Sequence, residues 1–212
     1  MGLKKDFLWG SATASYQCEG AVNEGGRVPS MWDTYLHDGG YETGDVASDF
    51  YHHYKEDIKM MAEGGQNTLR LSLAWPRIIK NIKEEGVEFY RDVLQTCQQY
   101  GITPFVTIYH WDLPQYLEEK GGWLNEETCY AFEQYAKVCF EKFGDLIEYW
   151  VTFNEPKWFT FNGYMVGNYP PGHHSAQEMI IAAYHVMYAS ALGVRAFKEG
   201  HYKGMIGIVH SF

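Results

Sequence analysis

Four short stretches of this sequence concentrate residue types that bind a hydroxyl-rich ligand and move a proton: Tyr16-Gln17-Cys18-Glu19, Arg70 leading on to Trp75, His110-Trp111-Asp112, and Asn154-Glu155. Amide, imidazole and guanidinium groups supply hydrogen bonds for ring hydroxyls. Indole and phenol rings supply flat apolar faces with polar tips. A carboxyl group held protonated donates to a departing oxygen. Cleavage of a glycosidic bond needs all three kinds. Taken singly, each residue has a plainer reading. His110 suits a satisfied core histidine, Arg70 a structural ion pair, and Gln17 a loop residue bonded to backbone. Trp111 and Trp158 suit core packing, and Glu155 a solvated or capping carboxylate.

The elements that must position these residues are legible from periodicity. Phe7 to Thr13, Asn67 to Leu73, Thr103 to His110, Tyr149 to Glu155 and Met205 to Ser211 are runs rich in β-branched, aromatic and aliphatic residues, as buried strands require. Helical patterns lie between them, near Asp49 to Glu63, near Glu84 to Tyr100, from Asn125 to Gly144, and from Ser175 onward. In the third, Asn125 reads as an N-cap, and Phe132, Tyr135, Ala136, Cys139, Phe140 and Phe143 recur at helical spacing. In the fourth, Ser175 and Glu178 read as a capping box, and Ile180, Ala183, Tyr184, Met187 and Ala191 share one apolar side. Alternating strands and helices predict an α/β fold with a parallel sheet, and its reacting residues belong at the strand C-termini. A (β/α)8 TIM barrel needs eight strands, and this chain supplies about five strands and four main helices, so an incomplete barrel is expected. The Gly-, Asp- and Trp-rich stretch from about Glu19 to Ser48 is too long for an ordinary connection and is expected to fold over the site.

Composition narrows the partners. With 212 residues and 46% hydrophobic content the chain forms a sizeable core, and residues 1–212 read as a single domain. The net charge of −10 speaks against nucleic acid or an anionic membrane, because phosphate binding needs clustered Lys and Arg. A neutral small molecule fits better, and the 17% aromatic content suits sugar rings. No run of 18 or more apolar residues occurs, and the start has too short an apolar stretch for a signal peptide, so a cytoplasmic location is expected. Cys18, Cys97, Cys129 and Cys139 show no C-x-x-C spacing and read as reduced, mostly buried thiols. The pairs His52-His53 and His173-His174 are adjacent and do not share a face, so neither metal nor cofactor is expected.

The runs Phe7 to Gly20, Arg70 to Ile78, Tyr109-His110-Trp111-Asp112-Leu113-Pro114 and Trp150-Val151-Thr152-Phe153-Asn154-Glu155-Pro156 resemble the family 1 glycoside hydrolases, which include β-glucosidases, β-galactosidases and 6-phospho-β-glycosidases. The resemblance spans the chain in the right order but covers only the first half of such an enzyme. It implies a retaining β-glycosidase with Glu155 as acid/base, and Gln17, His110, Trp111 and Asn154 as sugar ligands. Asn154 would meet the 2-hydroxyl. Arg70 would hold ionised a nucleophilic glutamate. That nucleophile belongs to a Thr-Glu-Asn-Gly run absent from this sequence. Asn23-Glu24-Gly25 lies in the wrong motif, and Glu24 receives no catalytic role. The stretch Lys80 to Gly86 is several residues shorter than the family's loop at that place. The parent activity is thus expected to be hydrolysis of a β-glycoside or its 6-phosphate, with the isolated chain inactive. The rival of another class is a sugar-binding or assembly fragment that needs a C-terminal half-barrel or self-association.

Overall fold

The computed structural model describes residues 2, 4, 6–78 and 84–211. In chain order the elements are β1 (Gly10–Ala12), α1 (Ser15–Cys18), α2 (Met31–Gly39), α3 (Phe50–Glu63), β2 (Thr68–Ser72), α4 (Trp75–Ile78), α5 (Glu84–Gln99) and β3 (Thr103–Tyr109). They continue through α6 (Gln115–Glu118), α7 (Glu127–Phe143), β4 (Tyr149–Asn154), α8 (Pro156–Thr160), a π-helical turn (Phe161–Val166), α9 (Ala176–Glu199) and β5 (Met205–Val209). All five strands are parallel and lie in sequence order, β1-β2-β3-β4-β5, the wall of a partial barrel. The trimmed stretch noted before α5 falls largely on residues 79–83, outside the described residues.

The registers Arg70↔Phe105 and Phe105↔Tyr149 align β2, β3 and β4, so their C-terminal ends open on one face. The core lies between this sheet and its helices. Phe132, Tyr135, Ala136, Cys139, Phe140 and Phe143 of α7 are all buried, as their spacing predicts. Burying a large aromatic side chain contributes about 1.5–3 kcal/mol, so this face alone fixes α7 on the sheet. The residue directly before α7 is Glu126, which makes no side-chain cap, and Asn125, expected as the cap, stands one residue further out with its side-chain oxygen accepting from the Glu127 N–H at 3.0 Å. The four cysteines are free thiols, with Cys97, Cys129 and Cys139 buried.

Four further expectations need correction. Only Gly10–Ala12 pairs as strand within Phe7 to Thr13. Before it, the Asn67 N–H donates to the Trp9 carbonyl at 2.9 Å, while the Asn67 side chain accepts from the Trp9 N–H at 2.7 Å and donates to the Phe7 carbonyl at 3.0 Å. Gly10 is required there, since a Cβ would stand 1.8 Å from the Thr68 carbonyl oxygen. Second, the Glu19 to Ser48 stretch is not plain loop: it contains α2, opened by a complete capping box in which Ser30 and Asp33 satisfy each other's N–H. Third, the capping box at α9 is half made. Ser175 accepts from the Glu178 N–H, but the Glu178 carboxylate meets His173 at 2.9 Å instead.

Fourth, the apolar side of α9 named from sequence points outward, with Ile180 63% and Tyr184 68% exposed. The inward side carries Ala182, Val186, Ala189, Gly193 and Ala196. Close approach decides this, because a Cβ at Gly193 would already lie 3.2 Å from the Phe132 ring. Small residues fit where Ile and Tyr would not. By length and composition α9 is also apolar enough to cross a membrane, yet this inward side packs into the core.

Candidate active site

Three strand ends converge through one guanidinium. Arg70 on β2 donates through Nε to the Thr107 hydroxyl on β3 at 3.1 Å and through Nη2 to the Asn154 side-chain oxygen on β4 at 2.6 Å. Asn154, itself buried, turns its amide nitrogen toward Glu155 Oε2 at 3.4 Å. Burial pulls the Arg70 guanidinium below its ordinary pKa, and the charge of Glu155 opposes that. A cation, an amide and a carboxylate thus form one line across the ends of β2, β3 and β4.

Backbone geometry holds this line in place. Glu155 ends β4 in the left-handed region, φ +47°, with its N–H donating to the Val209 carbonyl of β5 at 2.8 Å, and Pro156 at once starts α8. Trp111, just past β3, is also left-handed at φ +75°. For side chains with a Cβ this conformation costs of order 1–3 kcal/mol and persists only where the surroundings enforce it. The Trp111 indole N–H donates to the Asn154 carbonyl at 2.8 Å, coupling the two strained positions. That contact gives Trp111 a positioning role that the sequence does not reveal.

His110 lies beside Trp111, and its Nδ1 is buried without a partner among the described residues. Burial, reinforced by Arg70, drives the imidazole down to about 3, so the ring is neutral near neutrality. A neutral ring with an unmet polar atom is fitted to a ligand hydroxyl. Gln17 on α1 is exposed and has no side-chain hydrogen bond among the described residues. It joins the cluster through its neighbour Ser15, whose N–H donates to the Ser72 hydroxyl at 2.7 Å and whose hydroxyl donates to Asp112 at 3.0 Å.

Asp112 is the residue that strand-end reasoning undervalued. It is buried, burial pushes its carboxyl up to about 7, and it ties the end of β3 to the segment after β1. Glu19 is likewise a buried anchor: it accepts from Arg77 at 3.3 Å and from the Tyr90 hydroxyl. Trp75 belongs to the core, stacked on Tyr135 with centroids 4.9 Å apart, whereas Trp158 is exposed. His52 meets Asp49 and Glu24, and His173 meets Glu178. Among the described residues no three His, Cys, Asp or Glu side chains could hold a metal. A hollow of about 1010 Å³ is lined by Thr103, Pro104, Glu148, Lys203 and Gly204 at the strands' N-terminal ends. Barrel enzymes do not place their chemistry at that end.

Comparison with known proteins bears on this strand-end cluster directly. The family model described as glycosyl hydrolase family 1 matches residues 2–212. The chain belongs to glycosyl hydrolase family 1. It is 43% identical over 212 residues to the 6-phospho-beta-galactosidase of Clostridium acetobutylicum, across 98% of this chain and 45% of that protein. In structure it is similar to the AHE enzyme from Alicyclobacillus herbarius, with TM-score 0.97 and 45% identity over 100% of this chain and 50% of that one. The beta-glucosidase from Thermotoga maritima, solved with noeuromycin, aligns with TM-score 0.95 and 41% identity over 98% and 49%. The chain therefore spans about half the length of the family 1 relatives it matches. The five-stranded parallel sheet corresponds to the N-terminal part of their barrel.

Proposed function

We propose that this chain supplies the acid/base half of a retaining β-glycosidase acting on β-glucosides or related β-glycosides. The observation that carries the reading is the Arg70–Asn154–Glu155 line at the strand C-termini, with Glu155 held left-handed between β4 and α8. Glu155 protonates the glycosidic oxygen as its bond to the anomeric carbon breaks. A second carboxylate, from later strands, attacks that carbon. Glu155 then takes a proton from the water that releases the sugar. Arg70 occupies the Asn154 side-chain oxygen, so the amide nitrogen is the group left to donate to the sugar 2-hydroxyl. His110 and Gln17 offer further hydroxyl partners, and Trp111 serves chiefly by fixing Asn154. Residues 1–212 alone are expected to turn over little, because the covalent step needs the second carboxylate.

The test uses a completed chain, in which residues 1–212 continue into the C-terminal half of a family member. Glu155→Gln should slow hydrolysis of alkyl β-glucosides roughly 10²–10⁴-fold while sparing activated aryl β-glucosides, whose phenolates depart without a proton. Equal loss on both substrates removes Glu155 from the acid role. The likeness to a protein named 6-phospho-beta-galactosidase supports a second reading, a 6-phosphorylated substrate. Paired assays on an aryl β-glycoside and its 6-phosphate separate the two.

A further inference from the structure

A small hollow lies between α1 and the end of β3. It measures about 10 Å³, room for about one water molecule, and is lined by Ser15, Tyr16, Glu19, Arg27, Ala74 and Asp112 among others. Two of these residues bring an unmet polar atom. Asp112 Oδ1 and the Tyr16 hydroxyl are buried with no hydrogen-bond partner among the described residues, and Asp112 as a whole is only 1% exposed. A buried polar atom left unpaired costs about 1–3 kcal/mol, so two at one hollow require an occupant.

The groups around them are already engaged. Glu19 takes Arg77 on one carboxylate oxygen and the Tyr90 hydroxyl on the other. The second Asp112 oxygen accepts from the Ser15 hydroxyl at 3.0 Å, and that hydroxyl accepts from Ser72 at 3.0 Å. Arg27 pairs with Asp33 at 2.9 Å and lies 5.8 Å over the Tyr16 ring, while Trp32 stacks on the same ring at 6.2 Å. These contacts hold the Tyr16 hydroxyl inward. Size and charge then decide the occupant. A metal or ammonium cation would meet the Arg27 guanidinium, and an anion would meet the carboxyl groups of Glu19 and Asp112, so a neutral group of one water's size is what fits. Burial pushes the Asp112 carboxyl up to about 7, so acid and carboxylate are both present near neutrality. A water serves both forms, accepting from the acid or donating to the carboxylate while it takes the Tyr16 proton.

We propose that one ordered water fills this hollow, bridging Asp112 Oδ1 and the Tyr16 hydroxyl, and that this bridge makes Asp112 a positioning residue for Gln17. The helix α1 has four residues, and Ser15 ties its start to Ser72 and Asp112. The water adds a second hold one residue on, at Tyr16, directly before Gln17. The role given to Gln17 rests on the β-glycosidase reading, whereas the water rests on the hollow and its two unmet oxygens.

Crystals of a completed chain and of its Tyr16→Phe variant are the test, with aryl β-glucoside kinetics on the same proteins. The parent should show a water within hydrogen-bond distance of both Asp112 Oδ1 and the Tyr16 hydroxyl, and Tyr16→Phe should lose that water and displace Gln17. An empty hollow, a direct contact between the two groups, or a Gln17 unmoved in the variant overturns the proposal, whether or not the protein is active. In solution Tyr16→Phe should raise KM roughly twofold to tenfold with kcat unchanged. Asp112→Ala should raise KM as well, and Asp112→Asn, which can still accept from Ser15 and donate to the water, should restore it. Tyr16→Phe combined with Gln17→Ala should be no worse than Gln17→Ala alone, because both remove one contact. Additive losses leave Tyr16 a role in the fold only and overturn the positioning of Gln17. A parent crystal with the water in place, but no turnover of any β-glycoside, overturns the glycosidase reading instead.

Discussion

The indole N–H of Trp111 donates to the backbone carbonyl of Asn154 at 2.8 Å, so a residue just past β3 fixes the backbone immediately before the carboxylate that follows β4. Both Trp111 and Glu155 are left-handed, and neither is glycine. The hydrogen bond offsets part of the conformational cost and sets where the Glu155 side chain starts. Trp111→Phe keeps most of the ring and removes the donor. In a completed chain it should cost about 1 kcal/mol of stability and lower kcat more than it raises KM for an aryl β-glucoside. Unchanged kcat with a raised KM would make Trp111 a sugar platform instead.

Arg70 tests the other side of Asn154. Arg70→Lys keeps a positive charge but cannot reach both the Thr107 hydroxyl and the Asn154 side-chain oxygen with a planar fork. The Asn154 amide then loses its fixed orientation. Hydrolysis of a 2-deoxy aryl glucoside should fall less than that of the parent glucoside, because the 2-hydroxyl contact is what Asn154 supplies. Equal losses on the two substrates would separate Arg70 from the 2-hydroxyl and leave it only the nucleophile or the fold.

A Glu155→Ala variant of the completed chain should be rescued by azide on an activated aryl glycoside. Azide needs no general base to attack a glycosyl-enzyme intermediate, and retention requires a β-glycosyl azide as product. Recovery of the α-azide alone contradicts the retaining assignment.

Two buried groups give opposing pH dependences. Asp112 titrates at about 7 in the fold, raised by burial, against about 3.9 in an unfolded chain. From about pH 4 to about pH 7 the folded state therefore holds the extra proton, and stability falls as pH rises. His110, depressed to about 3 by burial and by Arg70, behaves oppositely. The unfolded chain binds its proton first, so this stability is present above about pH 6.5 and is lost on acidification toward pH 3. Denaturant melts of the completed chain at pH 4, 5.5, 7 and 8 should show Asp112→Asn rising in stability across the lower interval and His110→Gln falling across it. Parallel profiles for the two variants would refute the opposition.

Much of this site was legible because its residues stand where strands end and helices begin. The α7 core positions follow from a 3.6-residue period, and the place of Glu155 at a strand end follows from the apolar run before it, whereas its acid role comes only from the family resemblance. What escaped depends on contacts distant in sequence. Asp112 gains its role from Ser15, and Trp111 spends its N–H on Asn154, pairs that no periodicity reports. The helix Met31–Gly39 was hidden in a Gly-rich stretch because its capping box, Ser30 with Asp33, is short and its apolar content modest. On α9 both sides are apolar, and only the close approach of Phe132 to Gly193 decides which one faces inward.

That outward side of α9, together with the two sheet edges, governs how residues 1–212 behave when expressed alone. β1 and β5 are the ends of the strand order, so among the described residues each has one side without a ladder partner. Beside them Trp9 and Met205 are each 60% exposed, and Ile180, Tyr184 and Met187 form an exposed row on α9. Unpaired strand edges flanked by apolar surface promote association. Sedimentation velocity of the 212-residue chain should therefore show species larger than the monomer, growing with concentration. Met205→Lys and Ile180→Glu should shift the distribution toward monomer, because one charges the β5 edge and the other breaks the α9 row. A completed chain should be monodisperse under the same conditions, since further strands would cover both edges. A monomeric 212-residue chain with a cooperative melt would show that these edges and the α9 row do not drive association, and turnover of an aryl β-glucoside by it would overturn the need for a second carboxylate from later strands.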